Sequence, residues 1–275
     1  LLPDATIYVL NGLFGDPSRA VAARLIPFIS SREALAEWPD APFALNIDTG
    51  MNRLGMTPSE AFEVTRRPAL LASHFACADT PSHPQNREQE AVFAEAAAQF
   101  AGVPASLANS AATLTRPEAH YALNRPGIAL YGGAALEGRP PLEPAVRVEA
   151  RVIQVREVKA GAPVGYGAAE TVKRDSRLAV VSAGYADGYL RAAGGRDDKP
   201  GAKALVGGIE VPLVGRVSMD LITIDVTDAH CQRGDYVELF GPGLPLRDVA
   251  SAAGTIGYEF LTALSRRAER RYAPL

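Results

Sequence analysis

The chain has 275 residues, with 28 Lys+Arg against 31 Asp+Glu and a formal net charge of −3. That balance gives no electrostatic footprint for nucleic acid or an anionic membrane surface, and the length suits one large α/β domain or two smaller ones. Cys77 and Cys231 lie far apart without metal-ligand spacing, and no apolar run reaches the roughly 18 residues of a membrane span, so small-molecule chemistry in a reducing, cytoplasmic setting is expected.

Leu1–Thr6 has neither an initiator Met nor a signal-peptide pattern and reads as a helix end entering a strand, so the chain is expected to start inside a domain. Thr6–Leu10, closed by Asn11-Gly12, reads as a buried parallel strand, and Leu25–Ile29 as a second one that Pro27 weakens. Ser30 with Glu33 and Thr57 with Glu60 have capping-box spacing and mark two helix starts. Phe43–Ile47 and Leu70–Phe75 read as further strands. Gln85–Phe100, rich in Ala, Glu and Gln and stopped by Gly102, is the strongest helix. Pro104–Ala108 and Gly127–Tyr131 complete a series of about six strands alternating with helices, which predicts βαβ units and a parallel sheet. Asn46, Asp48, His74, Asn109, Ser110 and Arg125 fall at strand ends, where a TIM barrel carries its chemistry. The fold expected over residues 1–134 is therefore an incomplete TIM-type (β/α)8 barrel.

Ala135–Pro144, rich in Pro and Gly, reads as a linker. Beyond it, the alternation at Val146, Val148, Ala150 and Val152, a Gly207-Gly208 hairpin between apolar arms, Leu221–Val226 and Tyr236–Phe240 predict a mostly β domain over 135–275. Asp248–Ala253 and Tyr258–Arg271 read as short helices.

Several residues could carry chemistry. Arg53, in the polar loop after a strand, is suited to a carboxylate or phenolate oxygen. His74 ends an apolar strand, where a ring contact and an ordinary core histidine compete. Asn109-Ser110 opens a helix, so Ser110 reads either as its N-cap or as part of an anion site. Pro126 fixes its own backbone, Gly127 permits close approach, and the Gly127 and Ile128 amides can donate to an anion beside the Arg125 charge. A phosphate held by Ser110, Gly127 and Ile128, with Arg125 near the ring that carries it, describes pyridoxal phosphate. Val164-Gly165-Tyr166-Gly167 and Gly184-Tyr185 set phenols beside glycines, whereas Tyr189 and Tyr236 read as packed rings.

The segments DTGMNRLG (48–55), HFACAD (74–79), ANSAA (108–112), RPGIALYGG (125–133), VGYG (164–167), AGYADGYLR (183–191) and GRVSMD (215–220) resemble, in order, those of the alanine racemases, fold-type III pyridoxal-phosphate enzymes with a barrel followed by a β domain. The resemblance implies roles. Arg125 would bond the pyridine nitrogen; Ser110, Gly127 and Ile128 the phosphate; His74 would pack near the ring and bond Tyr166. Tyr166 would remove the Cα proton of L-alanine in the barrel pocket of a second subunit, Arg53 and the Met219 backbone would bind the substrate carboxylate, and Tyr185 would narrow the entry. A homodimer with composite sites, acting on alanine through a Schiff base and supplying D-alanine for peptidoglycan, follows from the same resemblance.

Three departures stand out. The family's Schiff-base lysine belongs to the first barrel strand, and the four lysines here, Lys159, Lys173, Lys199 and Lys203, all lie in the second domain. The lysine is therefore expected from an N-terminal segment or a separate N-terminal fragment, and the 275 residues alone are expected to be inactive. Asn46 stands where many members carry a carbamylated lysine that orients Arg53, so an anion such as chloride is expected to substitute. Arg266 stands where some members have a phosphate-binding tyrosine. A non-catalytic pyridoxal-phosphate-binding relative and a racemase of broader amino-acid range are the alternatives; a decarboxylase of similar architecture is disfavoured by Tyr166 and RPGIALYGG.

Overall fold

Short β-rich runs separated by helix signals build the first of two compact units, comprising residues 1–127 and 135–137; the second comprises residues 128–134 and 138–275. The structure, a computed structural model, describes residues 4–136 and 142–272. The reading of Leu1–Pro3 and part of the expected linker, residues 137–141, lie outside the described residues.

In the first unit the order is β1 (Ile7–Val9), α1 (Pro17–Ala22), β2 (Leu25–Ile29), α2 (Arg32–Glu37), β3 (Ala44–Asn46), α3 (Pro58–Phe62), β4 (Leu70–Ala72), α4 (Pro84–Gln99), β5 (Ala105–Ser106) and α5 (Ser110–Thr115). All five strands pair in parallel in sequential order, as expected of consecutive βα units of a barrel. β2 tolerates Pro27 because pairing is handed over there: Val9 pairs with Pro27, and pairing to β3 starts at Phe28. Among the described residues of this unit five strands form where about six were expected. Ile128–Tyr131, expected as a strand, is a 3-10 turn grouped with the second unit, and the segment before it keeps one parallel bridge, Asn109 with Arg125.

The cap of α2 is Ser31, one residue after the expected Ser30. Ser31 is extended and its Oγ accepts the Ala34 N–H at 3.1 Å, while the Ser30 hydroxyl accepts instead from the Asn46 amide at 3.1 Å. The Thr57–Glu60 capping box forms as read. The buried residues of α4 are Asn86, Gln89, Phe93 and Ala96, a helical face whose first half is polar.

The second unit contains β6 (Val148–Val158), β7 (Pro163–Val164), β8 (Glu170–Thr171), β9 (Ser176–Val181), β10 (Lys203–Val206), β11 (Ile209–Pro212), β12 (Ile222–Asp225), β13 (Tyr236–Phe240), α6 (Leu246–Ala253) and α7 (Gly257–Ala263). A six-stranded antiparallel sheet runs β11-β10-β13-β6-β9-β12, and β7 pairs with β8. The Gly207-Gly208 hairpin joins β10 to β11 as expected. α7 stops at Ala263 instead of reaching Arg271. Leu264 leaves helical geometry, the Ser265 N–H goes to the Asp187 carbonyl at 3.1 Å, and Arg267 pairs with both Asp187 and Asp220.

Phe260 centres this unit's core, edge-on to Tyr189 at 5.5 Å and to Phe240 at 6.0 Å, and is fully buried. Tyr236, expected as a packed ring, is instead half exposed beneath the Arg151 guanidinium. Phe260→Ala is expected to lower the unfolding free energy of the second unit by about 3–5 kcal/mol, read from urea unfolding by circular dichroism; a change below about 1 kcal/mol would contradict this packing.

Candidate active site

A cavity of about 320 Å³ opens at the strand ends of the first unit, with Arg53, His74, Arg125, Asn46 and Ser73 among its lining residues. Sequence reading brought the first three of these together; the structure adds how they are held.

Arg125 follows β5 and α5, and its side chain reaches back to the ends of β4 and β5. One Nη donates to the Ser106 hydroxyl; the other donates to the Ser73 carbonyl at 2.5 Å and lies 3.2 Å from His74 Nδ1. All these partners are neutral. Burial without a counter-charge pulls the Arg125 pKa down to about 10, which still leaves it cationic at neutral pH. A guanidinium has no acceptor, so His74 Nδ1 accepts and the ring proton sits on Nε2. Burial, then the Arg125 charge, then that of Arg53 lower the His74 pKa to about 4. His74 is therefore a neutral Nε2–H donor.

Arg53 rides on the loop after β3. Asp48 Oδ1 shapes that loop by accepting the amides of Gly50, Met51 and Asn52 at 2.9, 2.9 and 3.1 Å. The Arg53 side chain is exposed, with no hydrogen bond or ion pair among the described residues. Asn46, in β3, lines the same cavity and donates to Ser30.

Ser110 is not the cap of α5. Asn109 is: its backbone is extended and its Oδ1 accepts the Ala112 N–H at 3.1 Å. The buried Ser110 hydroxyl accepts instead the Gly127 N–H at 2.8 Å, so two of the residues read as an anion site touch each other. A Cβ added to Gly127 would meet no atom within 4 Å, so space is open beside this amide. Ile128 follows directly in the chain and opens the 3-10 turn of the second unit.

Tyr166, Tyr185 and Met219 belong to the second unit. Tyr166 stands between Gly165 and Gly167, both at positive φ, 72° and 71°, on a sharp reversal that leaves its ring 73% exposed. That reversal lies against Gly215-Arg216, with Arg216 Nη1 3.1 Å from where a Gly167 Cβ would stand. The Tyr185 N–H donates to the Ser218 carbonyl at 3.1 Å and the Ala186 N–H to the Met219 carbonyl at 3.0 Å. Gly184 permits this approach, since a Cβ there would meet the Met219 oxygen at 2.3 Å. The VGYG, AGYADGYLR and GRVSMD segments thus form one cluster. Sequence reading missed Ser73, Ser106, Thr49 and Gln89 as supports of the pocket, because hydroxyl and amide side chains give no local pattern that separates a support from a solvated residue.

Residues 1–135 match the family model "Alanine racemase, N-terminal domain" and residues 145–272 match "Alanine racemase, C-terminal domain". The chain belongs to the alanine racemase family. The alanine racemase of Rhizobium meliloti strain 1021 is 47% identical, the match covering 99% of this chain and 79% of that protein. The biosynthetic alanine racemase of Pseudomonas aeruginosa superposes with a TM-score of 0.89 at 40% identity, over 98% of this chain and 80% of that one. The Bartonella henselae alanine racemase, solved with covalently bound pyridoxal phosphate, gives a TM-score of 0.89 at 34% identity, over 99% of this chain and 80% of that one.

The electrostatics make a pH prediction. His74 has its folded pKa depressed to about 4 from 6.5, so the stability linked to its neutral form is fully present above pH 6.5 and is lost as pH falls through about 4. Proton NMR should find the His74 ring uncharged throughout pH 5.5–8, by the same linkage at roughly these limits; a midpoint near the unperturbed value would contradict the buried Arg125 contact.

Proposed function

We propose that this chain provides most of a pyridoxal-phosphate-dependent racemase interconverting L- and D-alanine. The observation that carries the proposal is the Arg125–His74 contact in a cavity shared with Arg53. The fit to the cofactor is chemical. Four neutral acceptors around Arg125 leave its Nε–H without a partner among the described residues, ready for a ring nitrogen lone pair. The open space beside Gly127, next to the Ser110 hydroxyl, suits a phosphate that also meets the Ile128 amide.

Bound there, pyridoxal phosphate supplies an electron-withdrawing ring that acidifies the α C–H of an amino acid. The chain's residues do the rest. Arg125, a permanent cation, keeps the ring nitrogen unprotonated and so moderates that withdrawal, which limits side reactions. Arg53 and the Met219 backbone hold the substrate carboxylate. Tyr166, from a second copy of the chain, takes or returns the α proton on the L face, with the His74 Nε2–H holding its oxygen. Tyr185 narrows the entry. The active form is accordingly a homodimer with composite sites, cytoplasmic, and a source of D-alanine for peptidoglycan.

The base of the opposite face is a lysine other than the four here. Lys159 and Lys203 are committed to Asp175 and Glu210, each at 2.6 Å, Lys199 contacts the Ala192 carbonyl, and no lysine lines the His74–Arg125 cavity. The same fact supports the alternative of a cofactor-binding relative without catalysis. The two readings separate on the lysine. Supplied with that lysine, the enzyme should racemise alanine, and Tyr166→Phe should slow loss of the L-alanine α-deuteron in water by roughly a hundredfold or more while D-alanine is affected far less. Equal losses for both isomers would contradict the one-face role. Racemisation by the 275 residues alone would contradict the assignment of the second base.

A further inference from the structure

The first half of the buried face of α4 is polar, and each of its side chains is spent on the loops that carry His74 and Arg53. Gln89 is completely buried. Its Nε2 donates to the His74 carbonyl at 2.9 Å and to Thr49 Oγ1 at 3.1 Å, and its Oε1 accepts the Ala76 N–H at 2.9 Å. One amide thus grips the backbone on both sides of the His74–Ala76 step and reaches across to the other loop. Thr49 continues the link to the Ser73 hydroxyl at 2.8 Å, and the Ser73 carbonyl receives Arg125. One turn earlier, Gln85 Nε2 donates to the Gly50 carbonyl at 2.7 Å and its Oε1 accepts from the Cys77 thiol. Residues four apart on a helix share a face, so one helix face ties both loops.

We propose that Gln89, assisted by Gln85, is a positioning residue that fixes the separation of His74 and the Arg53 loop, and through them the spacing between the cofactor ring and the substrate carboxylate. Its chemical meaning rests on the racemase reading; the geometry does not. A residue merely filling the core would be replaceable by an apolar one of similar size. Gln89 is not, because its removal takes from the partly buried Ala76 N–H and His74 carbonyl their hydrogen-bond partner, and the backbone bearing His74 must shift to satisfy them.

The test uses the whole chain, Gln89→Leu and the near-isosteric Thr49→Val, which cuts the Gln89–Thr49–Ser73 link and keeps the Gln89 bonds to the His74 and Ala76 backbone. The His74 titration and amide exchange are followed by NMR, melting temperature by circular dichroism, and pyridoxal phosphate affinity by equilibrium titration. In Gln89→Leu the His74 midpoint should rise by about one unit or more as the ring leaves its buried seat, Ala76 amide exchange should quicken, and pyridoxal phosphate affinity should fall about tenfold. Thr49→Val should quicken exchange at Gly50, Met51 and Asn52 and shift His74 in the same direction by less. A lower melting temperature with the His74 titration and loop exchange unchanged would reduce Gln89 to a core filler and overturn the proposal. If Gln89→Leu does not fold, Thr49→Val decides by the same two readouts. Failure of the unaltered chain, supplied with the lysine, to bind pyridoxal phosphate would remove the racemase reading, while the titration and exchange would still judge the clamp.

Discussion

A partly buried guanidinium held by neutral acceptors governs the pocket. Among the described residues Arg125 has no carboxylate within hydrogen-bond reach; it is held by the Ser106 hydroxyl, the Ser73 carbonyl and His74 Nδ1, and burial pulls its pKa to about 10. Withdrawing a cation from water without a counter-charge is costly, and such arrangements cluster where a function uses them. Everything beside it inherits its state. Because Arg125 can only donate, the His74 tautomer is fixed and the ring stays neutral, and the remaining guanidinium donors face a cavity instead of a salt bridge. An Arg–carboxylate pair would be more stable and could not serve a neutral ring nitrogen in the same way.

Support for this charge comes from outside the strands that display it. Ser73 directly follows β4 and Ser106 ends the neighbouring parallel β5, so the register of the two strands brings two acceptors to one guanidinium. α4 then braces the loops from behind, with Asn86 holding the Cys77 and Thr80 carbonyls and Gln89 holding the His74 step. Polar residues replace apolar ones on half of a buried helix face, and the Gln89 amide, paired at both its nitrogen and its oxygen, fixes geometry more strictly than interchangeable methyl groups would. The second unit uses close backbone approach instead: Gly184 lets the Tyr185 turn press on Ser218 and Met219, and Gly165 and Gly167 lift Tyr166 outward.

Much of this was legible in the sequence because it depends on residue types that have few other uses. The alternation of strands and helices, the Thr57–Glu60 box and the Gly207-Gly208 hairpin follow from local rules, and seven segments in family order pointed to the cofactor pocket. Errors arose where tertiary partners overrode local signals. Ser30 lost the cap to Ser31 because Asn46 takes its hydroxyl, Ser110 lost it to Asn109, Ile128–Tyr131 closed into a 3-10 turn, and α7 ended at Ala263, with the Asp187 carbonyl taking the Ser265 amide. Gln89 was invisible for the same reason. In an Ala-, Glu- and Gln-rich helix nothing local marks which glutamine faces inward.

The central claim is that Arg125 is a cofactor-ring donor and not merely a structural cation. Equilibrium titration of the chain with pyridoxal phosphate, before and after Arg125→Lys, tests it most directly. Lysine keeps the charge but cannot reach Ser73, Ser106, His74 and a ligand together, so affinity should fall by roughly ten- to a hundredfold while far-ultraviolet circular dichroism is unchanged. Equal affinity in the two proteins would contradict the account.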